Sequence, residues 1–542
     1  MRKKQYFKKT AAIIVAGAVA ASTVACGNET GNQNSTEQSK APATTAPTNT
    51  TEQSENSEPV KVTALSTWAV SDIRPVKDQT LVGQWLEEQL NMDLELVTIP
   101  SEGVTTKVNA LAASGDLPTV LFKTGDTSDI GKVNELGEKG VFLNVMDYLD
   151  KVPNYAKYLE DDFIRRELSN TEGNVYAFAK VYTDENIMYT TPIIRQDLLE
   201  GSEYSNQSIQ TIDDLTEVLV YLTEKMGTPA WIQRNGFNAF MEKSGLLWNL
   251  DHNTFYDYEQ DTFTHPILEE RTKAYIEWLR DLRSRGVIHP DWAIMTDETW
   301  EGLLASDKGF FTIDRMSIIG DNNFSQEFDW QPVDYPEING KAYLQPNQAK
   351  TMPSTAWVIN AKAGQSEIDK ALAFMNFLYD EKNHEVLTLG FEGKTYTKED
   401  ANTMAGIRWL IQIYGENADD PNAEFIYQHG IQSFTRLQTP IDMKSFPGTY
   451  PKIMYEQIDH IKQKQSGFRP AAPTVSFTDE IRTRLTTQET SLNTFFDEQV
   501  IKFIEGERNM DEWDVFVSEM KEKGVEEVVG YYNTAYADYK AR

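Results

Sequence analysis

Apolar and polar residues alternate where the ordered part of the chain begins, and a helical period follows. Val60 to Leu65 alternate in this way, which predicts a β-strand. The next apolar positions predict a helix with Val82, Trp85, Leu86 and Leu90, a strand at 94–97, a helix with Val104, Val108, Leu111 and Ala112 that ends at Gly115, and a strand at 119–122. This β-α-β-α-β order predicts a largely parallel sheet, and ligands bind such sheets beyond the carboxyl ends of the strands.

The middle and the end of the chain are richer in helical patterns. Thr211 and Asp214 form a capping-type helix start, and a second helix ends before Gly286. Further helices are predicted at 367–379, 513–520 and 525–536, and strands at 310–313 and 355–359. These elements predict a second α/β lobe followed by a helical C-terminal part.

The first 25 residues have the pattern of an export signal. A basic start without acidic residues precedes an uncharged run from Thr10 to Ala25. This run of about 16 residues is short for a bilayer core of ~30 Å, so a cleavable segment is favoured over a permanent helix.

Cys26 is the only cysteine of the chain and follows this leader directly. The local sequence resembles a bacterial lipobox, in which the cysteine after the cut is acylated, although Thr23 stands where that pattern usually has Leu. We therefore predict a lipid on Cys26 rather than an ordinary buried thiol. From Gly27 to Pro59 the only apolar side chains are those of alanine and proline, which predicts a flexible tether.

The charge of the chain restricts its partners. The full chain carries −32; five basic residues lie in the leader, which leaves 46 basic against 83 acidic residues, a net charge of −37 after the leader. Nucleic acid is an improbable partner because phosphate binding needs clustered Lys and Arg. Without a second cysteine no internal disulfide can form, so packing alone must supply stability.

No catalytic motif stands out. The chain has no Gly-x-Ser-x-Gly elbow and no phosphate-binding glycine loop, and its six histidines are far apart in sequence. The stretch from Asp251 to Tyr256 begins like a calcium loop but has Tyr where the turn needs Gly, so we predict no metal and no cofactor. Paired carboxylates for glycoside cleavage stay open as an alternative, because 83 acidic residues make nearly any pairing available.

Several motifs, in this order, resemble those of extracellular solute-binding lipoproteins of ABC importers, in the large oligosaccharide-binding branch (family 1 type). They are Leu111–Val120 (LAASGDLPTV), Gly173–Ala177 (GNVYA), Ile194–Leu199 (IRQDLL), Arg285–Asp291 (RGVIHPD), Gly390–Tyr396 (GFEGKTY) and the closing helix 524–539. Asn174 replaces a usual Lys, and the third motif lacks its usual Trp. The matches extend over nearly all of residues 60–542.

The resemblance implies an α/β, two-lobed periplasmic-binding-protein-like fold with a ligand cleft between the lobes. We divide the chain into a signal peptide (1–25), the lipidated Cys26 and tether (26–59), lobe 1 (60–185), lobe 2 (186–350), a return to lobe 1 through the hinge (351–400) and a helical part that completes lobe 2 (401–542). Hinge crossings are expected near 178–189 and 351–359.

Sugars need aromatic rings for their C–H faces and planar polar groups for their hydroxyls. The ends of the first and third strands, the presumed hinge and the element ends of the second lobe supply the predicted ligand-binding residues: Trp68, Asp72, Arg74, Lys123, Asp126, Tyr182, Glu185, Tyr189, Trp231, Trp292, Trp300, Trp357 and Arg408. For each tryptophan a place in the core is the alternative, and Asp72 with Arg74 would otherwise be a solvated pair.

The resemblance implies a binding protein without enzymatic activity that captures an extracellular carbohydrate, an oligosaccharide, by lobe closure and delivers it to membrane permease subunits. It would act as a monomer. An N-terminal lipid that includes palmitate would anchor it to the outer face of the cell membrane of a Gram-positive bacterium. A secreted lipoprotein glycosidase or lyase is the alternative, and a surface adhesion protein or a peptide binder is also open. The sequence identifies neither the sugar nor the permease.

Overall fold

The structure is a computed structural model and describes residues 58–66, 80–99, 104–122, 130–183, 190–316, 328–345, 350–413, 429–447, 450–464 and 468–541. The predicted signal peptide, Cys26 and most of the tether lie outside these ranges. Within the described residues, no helix combines the length and the apolar character that a bilayer crossing requires.

Strands are short and are spread along the whole chain. They are β1 (Val60–Ser66), β2 (Met92–Thr98), β3 (Val120–Leu121), β4 (Phe178–Tyr182), β5 (Thr190–Arg195), β6 (Phe255–Asp257), β7 (Thr262–Thr264), β8 (Phe311–Arg315), β9 (Trp330–Pro332), β10 (Thr351–Ile359), β11 (Tyr396–Thr397), β12 (Arg408–Trp409) and β13 (Leu437–Gln438).

Helices make up most of the remaining regular structure. They are α1 (Leu81–Leu90), α2 (Val104–Ser114), α3 (Ile130–Glu138), α4 (Pro153–Leu159), α5 (Asp162–Leu168), α6 (Ile212–Met226), α7 (Gly236–Gly245), α8 (Arg271–Ser284), α9 (Asp297–Ala305), α10 (Gln365–Leu378), α11 (Glu381–Leu389), α12 (Pro440–Lys444), α13 (Tyr450–Lys464), α14 (Asp479–Glu505), α15 (Trp513–Glu522) and α16 (Val525–Ala541).

The sequence patterns predicted the first elements correctly. β1 pairs in parallel with both β2 and β3, as the β-α-β-α-β order requires. Gly115 follows α2 with φ +80°, a left-handed conformation that glycine adopts without strain. The Thr211 hydroxyl accepts from the Asp214 N–H at 3.1 Å and the Asp214 carboxylate accepts from the Thr211 N–H at 2.8 Å, which is the predicted capping box of α6.

The first lobe is built on a six-stranded sheet in the order β13-β4-β10-β3-β1-β2. The sheet is mixed, because β10 runs antiparallel to both β3 and β4. Its core contains residues from β1 to β4, from β10 and from the stretch that ends in Leu437.

The second lobe is built on a three-stranded antiparallel sheet in the order β8-β5-β9. Its main core joins residues 194–338 to residues 485–528, and a smaller cluster packs α13 against Trp300 and Trp330. The small hairpin β6–β7 packs against α16 through Phe263.

The described chain passes from one sheet to the other at three places: between β4 and β5, before β10, and between α12 and α13. We expected hinge crossings near the first two places, and our division of the chain implied a third near residue 401. Ile413, Ile431, Phe434 and Leu437 belong to the first core, although we had assigned residues 401–542 to lobe 2. We therefore propose that the second lobe resumes near Tyr450 rather than at residue 401.

Candidate functional site

The second sheet begins at β5, directly after the crossover from the first sheet. Seven residues, 183–189, separate Tyr182 at the end of β4 from Thr190 at the start of β5, so the chain enters the second sheet from the first lobe at the start of β5. β8 runs antiparallel to β5 and pairs Arg315 with Thr190 and Asp314 with Thr191. The charged end of β8 therefore lies beside the start of β5, where the chain arrives from the first lobe.

The buried Asp314 is the centre of a charged group that we call the Asp314 cluster, formed by Arg234, Lys243, Asp297 and Asp314. The Asp314 carboxylate lies 2.8 Å from Arg234 Nε and 2.5 Å from Lys243 Nζ, and its residue is only 3% exposed. Burial alone would raise the pKa of Asp314, but Lys243 and Arg234 outweigh it, so this pKa is lowered. The carboxylate therefore stays ionised and fixes both cations in place.

The extended segment from Trp231 to Arg234 lies beside β8 and brings Arg234 to Asp314. Trp231 forms parallel bridges with Phe311 and Ile288, and the Ile232 N–H donates to the Phe311 carbonyl at 3.1 Å. Arg234 then reaches Asp297 at 3.3 Å, and its guanidinium carbon lies 5.7 Å from the centre of the Trp300 ring. This distance is that of a cation–π contact, in which the aromatic ring stabilises the guanidinium charge.

Aromatic and cationic side chains also meet on the first sheet. Trp357 in β10 stacks on Phe122 with 3.9 Å between ring centres, and the buried Arg436 guanidinium lies 4.1 Å from the Trp357 ring centre. Burial lowers the pKa of Arg436 to about 10, and burial lowers that of Lys180 in β4 to about 8. The first sheet therefore carries positive groups beside the crossovers.

The predicted tryptophans need a correction. Trp231, Trp292, Trp300 and Trp357 are all between 0 and 2% exposed. Trp231 packs against Phe240, Trp278 and Phe311, and the Trp292 indole donates to Glu505 at 2.8 Å. No face of these rings is open to a solute, so we reassign the four tryptophans to the cores.

The other predicted residues divide into two groups. Tyr182 ends β4, is half-buried and donates its hydroxyl to the Met352 sulfur at 3.4 Å, so it lies beside the crossover to β5. Arg408 lies in the two-stranded sheet β11–β12, half-buried. The remaining predicted residues lie outside the described part of the chain: Trp68, Asp72, Arg74, Lys123, Asp126, Glu185 and Tyr189.

Sequence reasoning missed the Asp314 cluster. The strand at 310–313 was predicted, and a charged pair, Asp314 and Arg315, follows directly, which was a usable signal. Arg234 and Lys243 carried no such signal, because they precede Asp314 by 80 and 71 residues in the sequence and contact it only in the folded protein.

The Asp314 cluster can bind polar groups but has no arrangement for a metal ion. Lys243 has three N–H donors and Arg234 has five, and their contacts with the two aspartates use only part of this capacity. Among the described residues, no group of three or more His, Cys, Asp or Glu side chains could hold a metal ion. The cluster is therefore suited to a ligand rich in hydroxyl or other hydrogen-bonding groups.

Comparisons with known proteins show the family and the fold of the chain. Two Bacillus subtilis (strain 168) proteins are similar to the chain: Lipoprotein LipO, 22% identical with 84% of this chain and 88% of the relative covered, and the polygalacturonan/rhamnogalacturonan-binding protein YtcQ, 20% identical with 86% and 90% covered. An HMO-binding, ABC-transporter-associated solute-binding protein from Bifidobacterium longum infantis shares the two-lobed fold with a TM-score of 0.69, at 16% identity over 89% of this chain and 99% of that one. The model of the bacterial extracellular solute-binding protein family matches residues 81–388, more than half of the chain, and the chain belongs to that family.

Proposed function

We propose that the protein captures an extracellular oligosaccharide between its lobes and delivers it unchanged to the permease of an ABC importer. The single observation that carries this proposal is the Asp314 cluster at the end of the second sheet where the chain arrives from the first lobe. Its fixed carboxylate and its partly used cationic donors match the alternating donor and acceptor needs of sugar hydroxyls.

Capture would work through a shift between open and closed forms. The first and second sheets are joined at crossovers, so relative motion of the lobes would bring Tyr182 and the Asp314 cluster around a solute. Only contacts with the solute that are stronger in the closed form would shift the equilibrium from the open to the closed form. A micromolar affinity corresponds to roughly −8 kcal/mol, which several charged hydrogen bonds can supply after the costs of association.

The relatives support the choice of ligand and the cellular location. YtcQ is described as binding polygalacturonan and rhamnogalacturonan, and LipO as a lipoprotein. By analogy, we propose a monomer anchored through lipid on Cys26 at the outer face of the cell membrane. We also propose that it has no enzymatic activity.

A melting-temperature screen against oligosaccharides and peptides tests the proposal. A ligand at 100 times its dissociation constant should stabilise the native state by ~2.7 kcal/mol. Chromatography of each stabilising sugar after incubation separates a binder from a glycosidase or lyase. Stabilisation by peptides alone, or cleavage of the sugar, would contradict the proposed function.

A further inference from the structure

A cavity of about 430 Å³ opens between the β6–β7 hairpin and residues 469–472. We call it the hairpin pocket. Its walls include the rings of Tyr256, Tyr258 and Phe263, together with two charged side chains, Asp251 and Arg469. This volume lies within the range of roughly 300–1,000 Å³ that small-molecule sites occupy.

Arg469 is the unusual member of this wall. One of its terminal nitrogens donates to the Asn249 amide oxygen at 3.2 Å, and its guanidinium carbon lies 5.8 Å from the centre of the Tyr258 ring. Within the described part of the chain, Arg469 has no carboxylate at ion-pair distance, whereas Arg271 pairs with Asp257. Its remaining N–H groups can bind a carboxylate in the planar, two-point manner that arginine favours.

The aromatic rings of the hairpin pocket are fixed in position. The Tyr258 hydroxyl accepts from the Leu344 N–H at 3.0 Å, and the Tyr256 hydroxyl donates to Asp261 at 2.7 Å. No aromatic ring of the described residues packs on Tyr258. A fixed, amphipathic ring of this kind offers a face to the C–H groups of a sugar.

We propose that the hairpin pocket is a subsite for an acidic sugar, in which Arg469 binds the carboxylate of a uronate ring and Tyr258 contacts its apolar face. The inference rests on the proposed function and narrows its ligand to oligosaccharides that contain uronate. Because the body of the protein is strongly acidic, an anionic ligand needs such a local cation.

Isothermal titration calorimetry with trigalacturonate and with the neutral trisaccharide made by reducing its carboxylates tests the inference. We expect the wild type to bind trigalacturonate at least tenfold more tightly than the neutral sugar. Arg469→Gln should remove this preference by weakening trigalacturonate binding at least tenfold. Arg285→Gln makes the same charge change at the half-exposed Arg285–Asp281 pair and is the control. Its affinities for both trisaccharides should equal those of the wild type.

Tyr258 supplies a second test within the same pocket. Tyr258→Leu should weaken trigalacturonate binding at least fivefold, and Tyr258→Phe, which keeps the ring, should recover most of that loss. Circular dichroism and the melting temperature of each free variant verify that it is folded.

Equal affinity for the charged and neutral trisaccharides, an Arg469→Gln variant that keeps the preference, or no binding of trigalacturonate would each overturn the inference. A neutral oligosaccharide that binds in the wider screen would then still uphold the proposed function. The two claims can therefore fail separately.

Discussion

Tyr539, in the last helix of the second lobe, donates its hydroxyl to Glu167, in α5 of the first lobe, at 2.9 Å. The same carboxylate oxygen accepts from the Thr474 N–H at 3.0 Å. Glu167 is 2% exposed, and burial followed by the nearby Glu167 charge raises the pKa of Tyr539. The two lobes are thus joined by a buried polar contact in addition to the crossovers.

Tyr539→Phe should destabilise the protein by about 1–2 kcal/mol, because it removes a charge-assisted bond from a buried carboxylate and keeps the ring. Urea unfolding measures the change. Tyr531→Phe is a matched control on the same helix, since the Tyr531 hydroxyl donates to Glu527 in an exposed contact. Equal losses from the two variants would show that the contact between lobes adds nothing.

Asp314→Asn should destabilise the protein by about 3–5 kcal/mol, because it leaves Arg234 and Lys243 buried without their common countercharge. Thermal or urea unfolding measures this, and solute affinity should fall at least tenfold. Asp297→Asn is the control, because Asp297 is half-exposed and touches Arg234 only at 3.3 Å. We expect that control to cost at most about 1 kcal/mol.

The lowered pKa of Lys180 predicts that the stability of the protein changes with pH in the alkaline range. Burial lowers its pKa to about 8, an effect that Asp442 opposes and Arg436 reinforces. In the unfolded chain the pKa of lysine is about 10.4, so the unfolded state holds more protons between these values. Lys180 therefore destabilises the fold below pH 8, and this penalty disappears as the pH rises toward 10.

Lys180→Met should accordingly stabilise the protein more at pH 7 than at pH 10. Urea unfolding at both pH values measures the difference, with the exposed Lys362→Met as control. A Lys180→Met effect that is the same at both pH values would contradict the assigned pKa.

Cys26→Ser tests the proposed lipid anchor. The wild type expressed in a Gram-positive host should incorporate labelled palmitate and partition into the detergent phase, because acyl chains supply the membrane affinity. The Ser variant should do neither and should appear in the medium or remain unprocessed. Equal partitioning of both proteins would rule out the cysteine as the anchor.

Local patterns predicted the elements well because their signals lie within a few residues. The apolar period of α1 and the Thr211–Asp214 capping box needed no information from the rest of the chain. The edge position of β13 could not be predicted in this way, since Leu437–Gln438 is a two-residue strand that pairs with β4 more than 250 residues earlier.

The candidate site was harder to predict than the fold. Trp231 and Trp292 follow no helical stripe, so their sequence positions suit a binding platform and a core equally well, and only the folded packing decides for the core. The Asp314 cluster and the hairpin pocket depend on contacts such as Arg469 with Asn249, which are 220 residues apart. Residue types alone carry no signal for such pairs.

Calorimetric titration of the purified protein with oligosaccharides, followed by chromatography of the recovered sugar, tests the central claim most directly. We predict saturable binding of an oligosaccharide at one site per chain, at least tenfold weaker binding to Asp314→Asn, and recovery of the sugar chemically unchanged. An Asp314→Asn variant that binds the sugar as tightly as the wild type, or a sugar recovered in fragments, would contradict capture between the lobes.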